Sequence, residues 1–477
     1  MRERLLSEVV ELMQPAPVEM FGDDVVVGPD VVTDNRAASP GALFVAIPGE
    51  RVDGHDYAPA AVAAGAAAVL GTHTTDAPVA HVLAEDSVTA LSWLARGVVA
   101  EARVRGLISL GVTGSSGKTS TKDLLAQILE RAGATVAPVG SQNNELGVPL
   151  TACRVDDDTA FLVSEMGARG LGHIAWLTSL VGLDVGVCLN VGRAHVGEFG
   201  SLETTAKAKS EIVADLAADG WAVLNADDPL VAAMRTATRA RIAWFGEGDL
   251  PDGDLRVTAR DVELDALSRA SFRLVVLDGS GERSAPVRLG VIGRHQVPNS
   301  LAAAAAALAA GVDLETIAAA LSAATTRSSW RMDLVTRDDG VLILNDSYTA
   351  NPDSMAVALE TAAELLRGSR ATHPTARLVA VLGDMLELGE AAADLHLELG
   401  RRAAGVGADE VVAVGELASQ VVAGAVGEGV AARVASRDDV AAGLSVGPGD
   451  VVLIKGSRGI GLEKVAASLV ATDGVDK

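Results

Sequence analysis

Along most of the chain, short apolar runs alternate with longer stretches in which apolar residues recur every three or four positions. The runs are rich in Val, Leu and Ile, as strands buried on both faces require. The longer stretches have the spacing of helices with one apolar face. In the middle of the chain the runs fall at 107–112, 134–137, 160–164, 184–189, 221–224 and 241–244, with helical stretches between them. This alternation predicts a mostly parallel sheet with helices on both faces. Residues 251–292 break the pattern. DLRVTARDVEL, SFRLVVLDG and APVRLGV follow one another with only turns between, which predicts an antiparallel excursion. The alanine run from Leu301 to Val312 predicts a buried helix. Farther on come a hairpin, a polar loop and a helix from about 352, then RLVAVLGDM (377–385), DEVVAVG (409–415) and DVVLIKGSRG (450–459) alternating with helices. These predict a second sheet of the same kind. The start of the chain, MRERLLSEVVELMQ, reads as a charged amphipathic helix, followed by strands at 24–27, 43–47 and 67–70 and a helix at 56–65. A further amphipathic helix, 87–104, leads into the central unit.

The expected class is therefore α/β in three domains: a small α/β unit over 1–84, a central phosphate-loop (P-loop) mononucleotide-binding parallel sheet over 85–327, and a Rossmann-like α/β unit over 328–477. The length of 477 residues suits three domains, and a hydrophobic content of 49% suffices for their cores. The net charge of −24 argues against a nucleic-acid or anionic-membrane partner. Cys153 and Cys188 sit in apolar or mixed segments and read as reduced core residues. The N-terminus does not read as a signal peptide, and the longest apolar run is too short to span a bilayer. A soluble, cytoplasmic protein is expected.

The chemistry is concentrated in LISLGVTGSSGKTSTKDLL (107–125). A strand feeding a glycine turn that opens a helix is a ready phosphate site: backbone N–H groups converge, the helix N-terminus favours anions, Lys118 can reach the outer phosphates and Thr119 can hold Mg²⁺. The loop proper is Thr113, Gly114, Ser115, Ser116, Gly117, Lys118, Thr119 and Ser120. The usual first glycine is replaced by Val112, and Gly114 supplies the flexibility. In open parallel sheets ligands sit at the carboxyl ends of strands. That rule singles out Glu165 as a metal ligand, Asn190 and His195 past another strand, and Asn225, Asp227 and Asp228 past a third. Taken alone, His195 reads as a loop residue, the Asp pair as the start of a helix at Pro229, Lys207 and Lys209 as a solvated helix face, and Thr33-Asp34-Asn35-Arg36 as a solvated turn. Asn299 lies in the first turn of the alanine-rich helix. The C-terminal unit has no second loop of the GKT kind, so it is expected to add substrate surface and close over the nucleotide.

Taken in order, TGSSGKTSTKD, NNELGVPL, SEMGARG, NVGRAHVGEFGS, AKAKSEI, NADDP, GRHQVPNSLAA, WRMD, NDSYTANPDSM, LGDMLELGE and KGSRG resemble the Mur ligase family of ATP-dependent, amide-forming enzymes over nearly the whole chain. NNELGVPL, SEMGARG, SYTANPDSM and LGDMLELGE resemble the branch that joins D-alanyl-D-alanine to UDP-N-acetylmuramoyl-tripeptide in peptidoglycan assembly. The resemblance implies ATP and two Mg²⁺ ions, with His195 as a ligand of the second ion and a carbamylated lysine at Lys209, Lys207 being the fallback. A free ammonium would repel Mg²⁺, whereas the CO₂ adduct offers an anionic oxygen. It also implies uridine-nucleotide contacts at Thr33, Asn35 and Arg36, nucleotide contacts at Asn299, Arg331 and Asp346, and substrate-side positions at Asn143, Asn144, Arg169, Tyr348 and Asn351. Lys118, Glu165, His195 and Lys209 are the residues expected to carry the chemistry. The implied reaction phosphorylates the tripeptide carboxylate and lets the dipeptide amine displace phosphate, in a monomeric enzyme that binds no nucleic acid. Thr349 and Arg193 depart from the family pattern. Four other readings compete. A non-catalytic binding protein could retain the loop but need not keep Glu165, His195 and Lys209 together. A sister ligase adding a diamino acid to the UDP-muramoyl dipeptide would carry DNPR in its third domain. A folylpolyglutamate-type ligase would lack the first domain. A P-loop GTPase switch would carry NKxD where this chain has NADD.

Overall fold

In the computed structural model, which describes residues 1–192 and 201–471, the apolar runs assemble into three main sheets. The central sheet has nine strands. In spatial order they are Gly281–Ile292, Arg269–Asp278, Leu255–Leu264, Arg241–Phe245, Trp221–Asn225, Val185–Cys188, Ile108–Thr113, Phe161–Glu165 and Thr135–Val136. The first three pair antiparallel with one another and all the remaining pairings are parallel. Ile108–Thr113 lies between Val185–Cys188 and Phe161–Glu165. The chain builds outward to one side of it and then to the other, so its carboxyl end is a topological switch point, where a crevice opens.

Helices Lys118–Leu129 and Gln296–Ala309 pack against each other over this sheet. From Leu301 to Ala307 every residue of the second helix is fully buried. Alanine lets that helix approach strands and helix closely on all sides, which is why a nearly featureless sequence forms the middle of a core. Helix Ser87–Val104, capped by the Asp86 carboxylate, matches its sequence span and packs on helix Leu6–Leu12 as well as on helices of the central unit.

The N-terminal sheet runs Val18–Phe21, Ala80–Ala84, Ala68–Gly71, Leu43–Val45, Val31–Val32, with only the first pair antiparallel. Three of these strands, Val18–Phe21, Val31–Val32 and Ala80–Ala84, were not expected. The opening helix is shorter than its sequence pattern suggests, because Arg4–Leu5 pairs with Val26–Val27 as a small ribbon. The helix expected at 56–65 is Ala58–Ala63, preceded by a 3₁₀ turn.

The C-terminal sheet has six strands, ordered Asp333–Thr336, Leu342–Asp346, Val451–Lys455, Leu378–Gly383, Glu410–Val414, Ala431–Val434, parallel except for the first pair. Among the described residues no helix is long and apolar enough to cross a membrane.

Candidate active site

The phosphate loop is held by its neighbours before any ligand arrives. Asn190, just past strand Val185–Cys188, accepts the Ser115 and Ser116 N–H groups on its side-chain oxygen, both at 2.9 Å, and its amide donates to the Ser116 carbonyl at 3.2 Å. Gly117 begins helix Lys118–Leu129 with φ of +80°, and a Cβ there would lie 2.5 Å from the Asn299 side-chain oxygen. Glycine is therefore required twice over, for conformation and for space. The Lys118 ammonium folds back to donate to the Gly114 carbonyl at 2.8 Å. Its pKa is lowered, first by burial and further by Arg331, against an opposing pull from Glu165. Thr113 stands behind the loop rather than in it: it is fully buried, and its hydroxyl donates to the Met166 carbonyl. Gly114 contributes only backbone.

Glu165 ends the adjacent strand and is fully buried. One carboxylate oxygen accepts from Ser141 at 2.7 Å and Asn143 at 2.8 Å; the other has no partner. A buried carboxylate oxygen without a donor is costly unless a cation is to fill the gap. Thr119 lies next to it, its hydroxyl 3.4 Å from that of Ser141. Asn143, expected on the substrate side, thus spends its amide on holding Glu165. Asn144 caps helix Gly147–Ala152 by accepting the Gly147 N–H at 2.8 Å. Both still line the cavity described below.

Lys207 and Lys209 share helix Leu202–Ala214, and the structure separates them. Lys207 is exposed, whereas Lys209 is buried and faces the cavity, its amine without a hydrogen-bond or ion-pair partner among the described residues. Burial, with Lys118 adding to it, brings the Lys209 pKa down to about 7. Two residues on, Glu211 accepts the Gly172 and Ala175 N–H groups at 2.7 and 3.0 Å. It thereby caps helix His173–Val181, which has no side-chain cap of its own. His195 and Arg193 lie outside the described residues. Of the Asp pair, Asp228 caps helix Pro229–Ala232 as its composition suggested, whereas Asp227 accepts the Glu247 and Gly248 N–H groups at 2.7 and 3.0 Å.

The opposite wall comes from the C-terminal unit. Asp346 and Lys455 end adjacent parallel strands, in register. The fully buried Lys455 ammonium pairs with the Asp346 carboxylate at 2.5 Å and donates to the Thr349 carbonyl at 2.7 Å. Asp346, matched by resemblance to a ribose contact, is thus already tied to a cation. Arg331 stacks 4.3 Å over the Tyr348 ring, and Arg458 lies 4.1 Å over Trp330. Asn351 caps helix Pro352–Ser369. His295 precedes helix Gln296–Ala309. Its Nδ1 has no partner, and burial lowers its pKa to about 4, so the ring is neutral at physiological pH.

These two walls enclose a cavity of about 570 Å³ between the central and C-terminal sheets. Ser115 to Ser120, Asn143, Asn144, Glu165, Arg169 and Lys209 line it from the central unit, together with Asn299. Arg331, Asp346, Tyr348 and Asn351 line it from the other side. Thr33, Asn35 and Arg36 are not among the lining residues. Asn35 and Arg36 begin a 3₁₀ turn of the N-terminal unit, with Thr33 just before its Asp34 cap, and the exposed Arg36 guanidinium is turned onto Asp34 and holds that carboxyl down at about 2. Sequence reasoning left out Lys455, Arg458, His295, Ser141 and Glu387, all of which face the cavity. The lysine of KGSRG ends a strand, so the same rule that found Glu165 could have found it.

Three family models match the chain: Mur ligase family, catalytic domain, over 30–106; Mur ligase middle domain, over 112–307; and Mur ligase, glutamate ligase domain, over 330–458. The chain is 42% identical to the UDP-N-acetylmuramoyl-tripeptide–D-alanyl-D-alanine ligase of Mycobacterium tuberculosis strain H37Rv, with 99% of both chains covered. It is 34% identical to the ligase of that name from Escherichia coli K12, with 97% of this chain and 98% of the other covered. A crystal structure of MurF from Acinetobacter baumannii superposes with a TM-score of 0.83 at 31% identity, covering 99% of each chain. MurF ligase from Thermotoga maritima in complex with ADP superposes at 0.72 with 28% identity, covering 93% of this chain and 97% of that one.

Proposed function

We propose, from the premise that this chain belongs to the Mur ligase family, that it joins D-alanyl-D-alanine to UDP-N-acetylmuramoyl-tripeptide at the expense of ATP, in the assembly of peptidoglycan precursors. One observation carries the reading. Lys118, Thr119, Glu165 and Lys209 converge on a single cavity whose far wall is a second domain, in a chain that aligns end to end with ligases of that activity.

A carboxylate is a poor electrophile. The tripeptide carboxylate attacks the γ-phosphorus of ATP, the bond to the β-phosphate oxygen breaks, and ADP leaves. The dipeptide amine, having lost a proton, attacks the acyl phosphate carbon; the C–O bond breaks and inorganic phosphate departs with the amide formed. Phosphoryl transfer asks the protein mainly for positioning and charge neutralisation. The backbone N–H groups at the start of helix Lys118–Leu129 supply the first, and the Lys118 ammonium the second. Arg331 adds positive charge from the other domain.

The donor set suits divalent cations. The orphaned Glu165 oxygen and the Thr119 hydroxyl would hold one Mg²⁺, and Lys209 as its carbamate, with His195, a second. Bound Mg²⁺ would supply neutralisation of the phosphate oxygens. Only a neutral amine adds CO₂, and an amine with a pKa near 7 is half neutral at physiological pH, which supports Lys209 over the exposed Lys207. The division of labour follows: residues 1–84 for the uridine nucleotide, through Thr33, Asn35 and Arg36; 85–327 for ATP; 328–477 for the dipeptide. The enzyme so proposed is a cytoplasmic monomer.

The test is phosphate release from ATP and Mg²⁺ with UDP-N-acetylmuramoyl-tripeptide and D-alanyl-D-alanine together and singly. Release that requires both, with a product heavier by the dipeptide, is the expected result. Release without either substrate, or only with the UDP-muramoyl dipeptide and a diamino acid, would overturn it.

A further inference from the structure

A carboxylate can meet a cation through one oxygen or through both, and the difference sorts divalent ions. Ca²⁺ gathers many oxygens in a loose shell and is readily gripped by both oxygens of one carboxylate. Mg²⁺ is smaller and demands a near-ideal octahedron, and the two oxygens of one carboxylate stand too close together to fill two of its corners. What Glu165 can offer is therefore decided by how its two oxygens are held.

Ser141, Asn143 and Oε1 of Glu165 form a closed ring of hydrogen bonds. The Asn143 amide donates to the Ser141 hydroxyl at 3.0 Å and to Oε1 at 2.8 Å, and the Ser141 hydroxyl donates to Oε1 at 2.7 Å. Both amide hydrogens and the one hydroxyl hydrogen are thereby used. Two donors fall on Oε1 and none of the described residues donates to Oε2, in a carboxylate with no exposure to solvent. Packing alone would have shared the donors between the oxygens, because a bare buried carboxylate oxygen is costly. The Thr119 hydroxyl stands 3.4 Å from that of Ser141, so the ring lies beside the other oxygen expected to meet the ion.

The ring is fixed from outside as well. Ser141 and Asn143 lie on the loop between strand Thr135–Val136 and helix Gly147–Ala152. The Asn143 carbonyl accepts the Gly167 N–H at 2.8 Å, two residues past Glu165. The buried Lys122 ammonium pairs with the Asp123 carboxylate and donates to the Pro138 carbonyl at 2.9 Å. Lys122 lies three residues beyond Thr119 on helix Lys118–Leu129, and Pro138 three residues before Ser141. This lysine takes no part in the chemistry proposed above. Its bond sets the spacing of helix and loop, and with it the spacing of Thr119 and Ser141.

We infer that Ser141 is a positioning residue that makes Glu165 a one-oxygen ligand, so that the site takes Mg²⁺ in preference to Ca²⁺; this rests on the cation site proposed above. Ser141→Ala removes one of the two donors on Oε1 and frees that oxygen to turn to an ion. The probe is Mn²⁺, whose paramagnetic resonance reports its binding to the whole protein in the presence of ADP, with Mg²⁺ and Ca²⁺ as competitors. The site in question is the one that Glu165→Gln abolishes. There the parent should yield Mn²⁺ to Mg²⁺ at lower concentration than to Ca²⁺. In Ser141→Ala that preference should fall about tenfold, the lower end of what one hydrogen bond to a charged group is worth. Affinity for ADP without any divalent cation should stay within about twofold of the parent, because the anchors of the loop are untouched. An unchanged preference, or a parent without one, overturns the proposal. So does an equal weakening of all three ions, which would make Ser141 a support for Glu165 with no influence on the choice of ion. A fall in metal-free ADP affinity overturns it too, since the loop itself would then have given way. Glu165→Gln tests the underlying reading. If it binds Mn²⁺ as the parent does, the cation site fails and the inference with it. If it loses Mn²⁺ while Ser141→Ala keeps the parent's preference, the inference alone fails.

Discussion

Substituting Gly117 by alanine isolates the geometric requirement at the head of the phosphate-binding helix. The new Cβ would stand 2.5 Å from the Asn299 side-chain oxygen and 3.4 Å from a Leu189 methyl. Ordinary contact begins near 3.4 Å, so Asn299 and the loop must part by about 0.9 Å. Asn299 has little freedom to yield. It is buried on a helix packed all round, and its amide donates to Gln296 at 3.0 Å. Moving it forfeits that hydrogen bond, about 1 kcal/mol. The left-handed conformation adds roughly 1–2 kcal/mol for any residue with a Cβ. The expected loss of stability is about 2–3 kcal/mol, read from urea unfolding of the nucleotide-free protein. A displacement of this size at a positioning element costs on the order of 100-fold in kcat/KM. Gly140→Ala is the control: its φ is +65° and nothing lies within 4 Å of the added Cβ, so only the conformational part should appear, about 1 kcal/mol. Adding Asn299→Ala to Gly117→Ala should recover part of the stability, a non-additive result expected only of residues in contact. If Gly117→Ala loses no more stability than Gly140→Ala and keeps its affinity for ADP within twofold, the close approach of loop and helix is not what holds this site.

Three further outcomes are expected. Lys209→Ala should abolish phosphate release with both substrates present, while Lys207→Ala on the exposed face of the same helix should leave it within about twofold, because only Lys209 faces the cavity. Burial lowers His295 from 6.5 to about 4, so between those values the unfolded chain binds a proton that the folded chain does not. Stability should thus be unaffected by this group above pH 6.5 and fall as the pH drops from 6.5 to 4, by at most roughly 3 kcal/mol, a slope that His295→Asn should remove in urea titrations. Asp346→Asn leaves the Lys455 ammonium buried without its counter-ion and should cost about 3–5 kcal/mol, and a loss below 1 kcal/mol in calorimetry or urea unfolding would refute the coupling.

The parallel strands from Ile108–Thr113 to Trp221–Asn225 were legible because they are largely buried on both faces and announce themselves as apolar runs. Each of these lies within a residue or two of its run, whereas strand Gly281–Ile292 begins four residues before APVRLGV. The edge of the N-terminal sheet was not. Val18–Phe21 alternates exposure with a glutamate in the middle and is an edge strand paired only with Ala80–Ala84, which itself contains a histidine and pairs on its other side with Ala68–Gly71. The site divides along the same line. The phosphate loop is local, eight residues in sequence, and could be read directly. The Asp346–Lys455 pair joins residues 109 apart, and the Asn190 clamp on the Ser115–Ser116 peptide bridges 74 to 75. No local pattern encodes either. The reading of Asn143 as a substrate contact did not foresee its bond to Glu165, because an amide in a loop looks the same in sequence whether it faces a ligand or a neighbour.

This one cavity gathers cations around the buried Glu165 carboxylate, one oxygen of which has no partner. Lys118, Lys209 and Arg331 face it together. Arg331 depresses the pKa of Lys118, and Lys118 that of Lys209, so the three cations repel one another across the boundary between the central and C-terminal units. With like signs, the walls are favourably bridged by something anionic between them. A triphosphate supplies that charge. Carbamylation of Lys209 would remove one repulsion outright by reversing its sign. The same arrangement is expected to tie closure of the two units to the nucleotide proposed to bind between them. An acyl phosphate would then form only where both walls already exclude water.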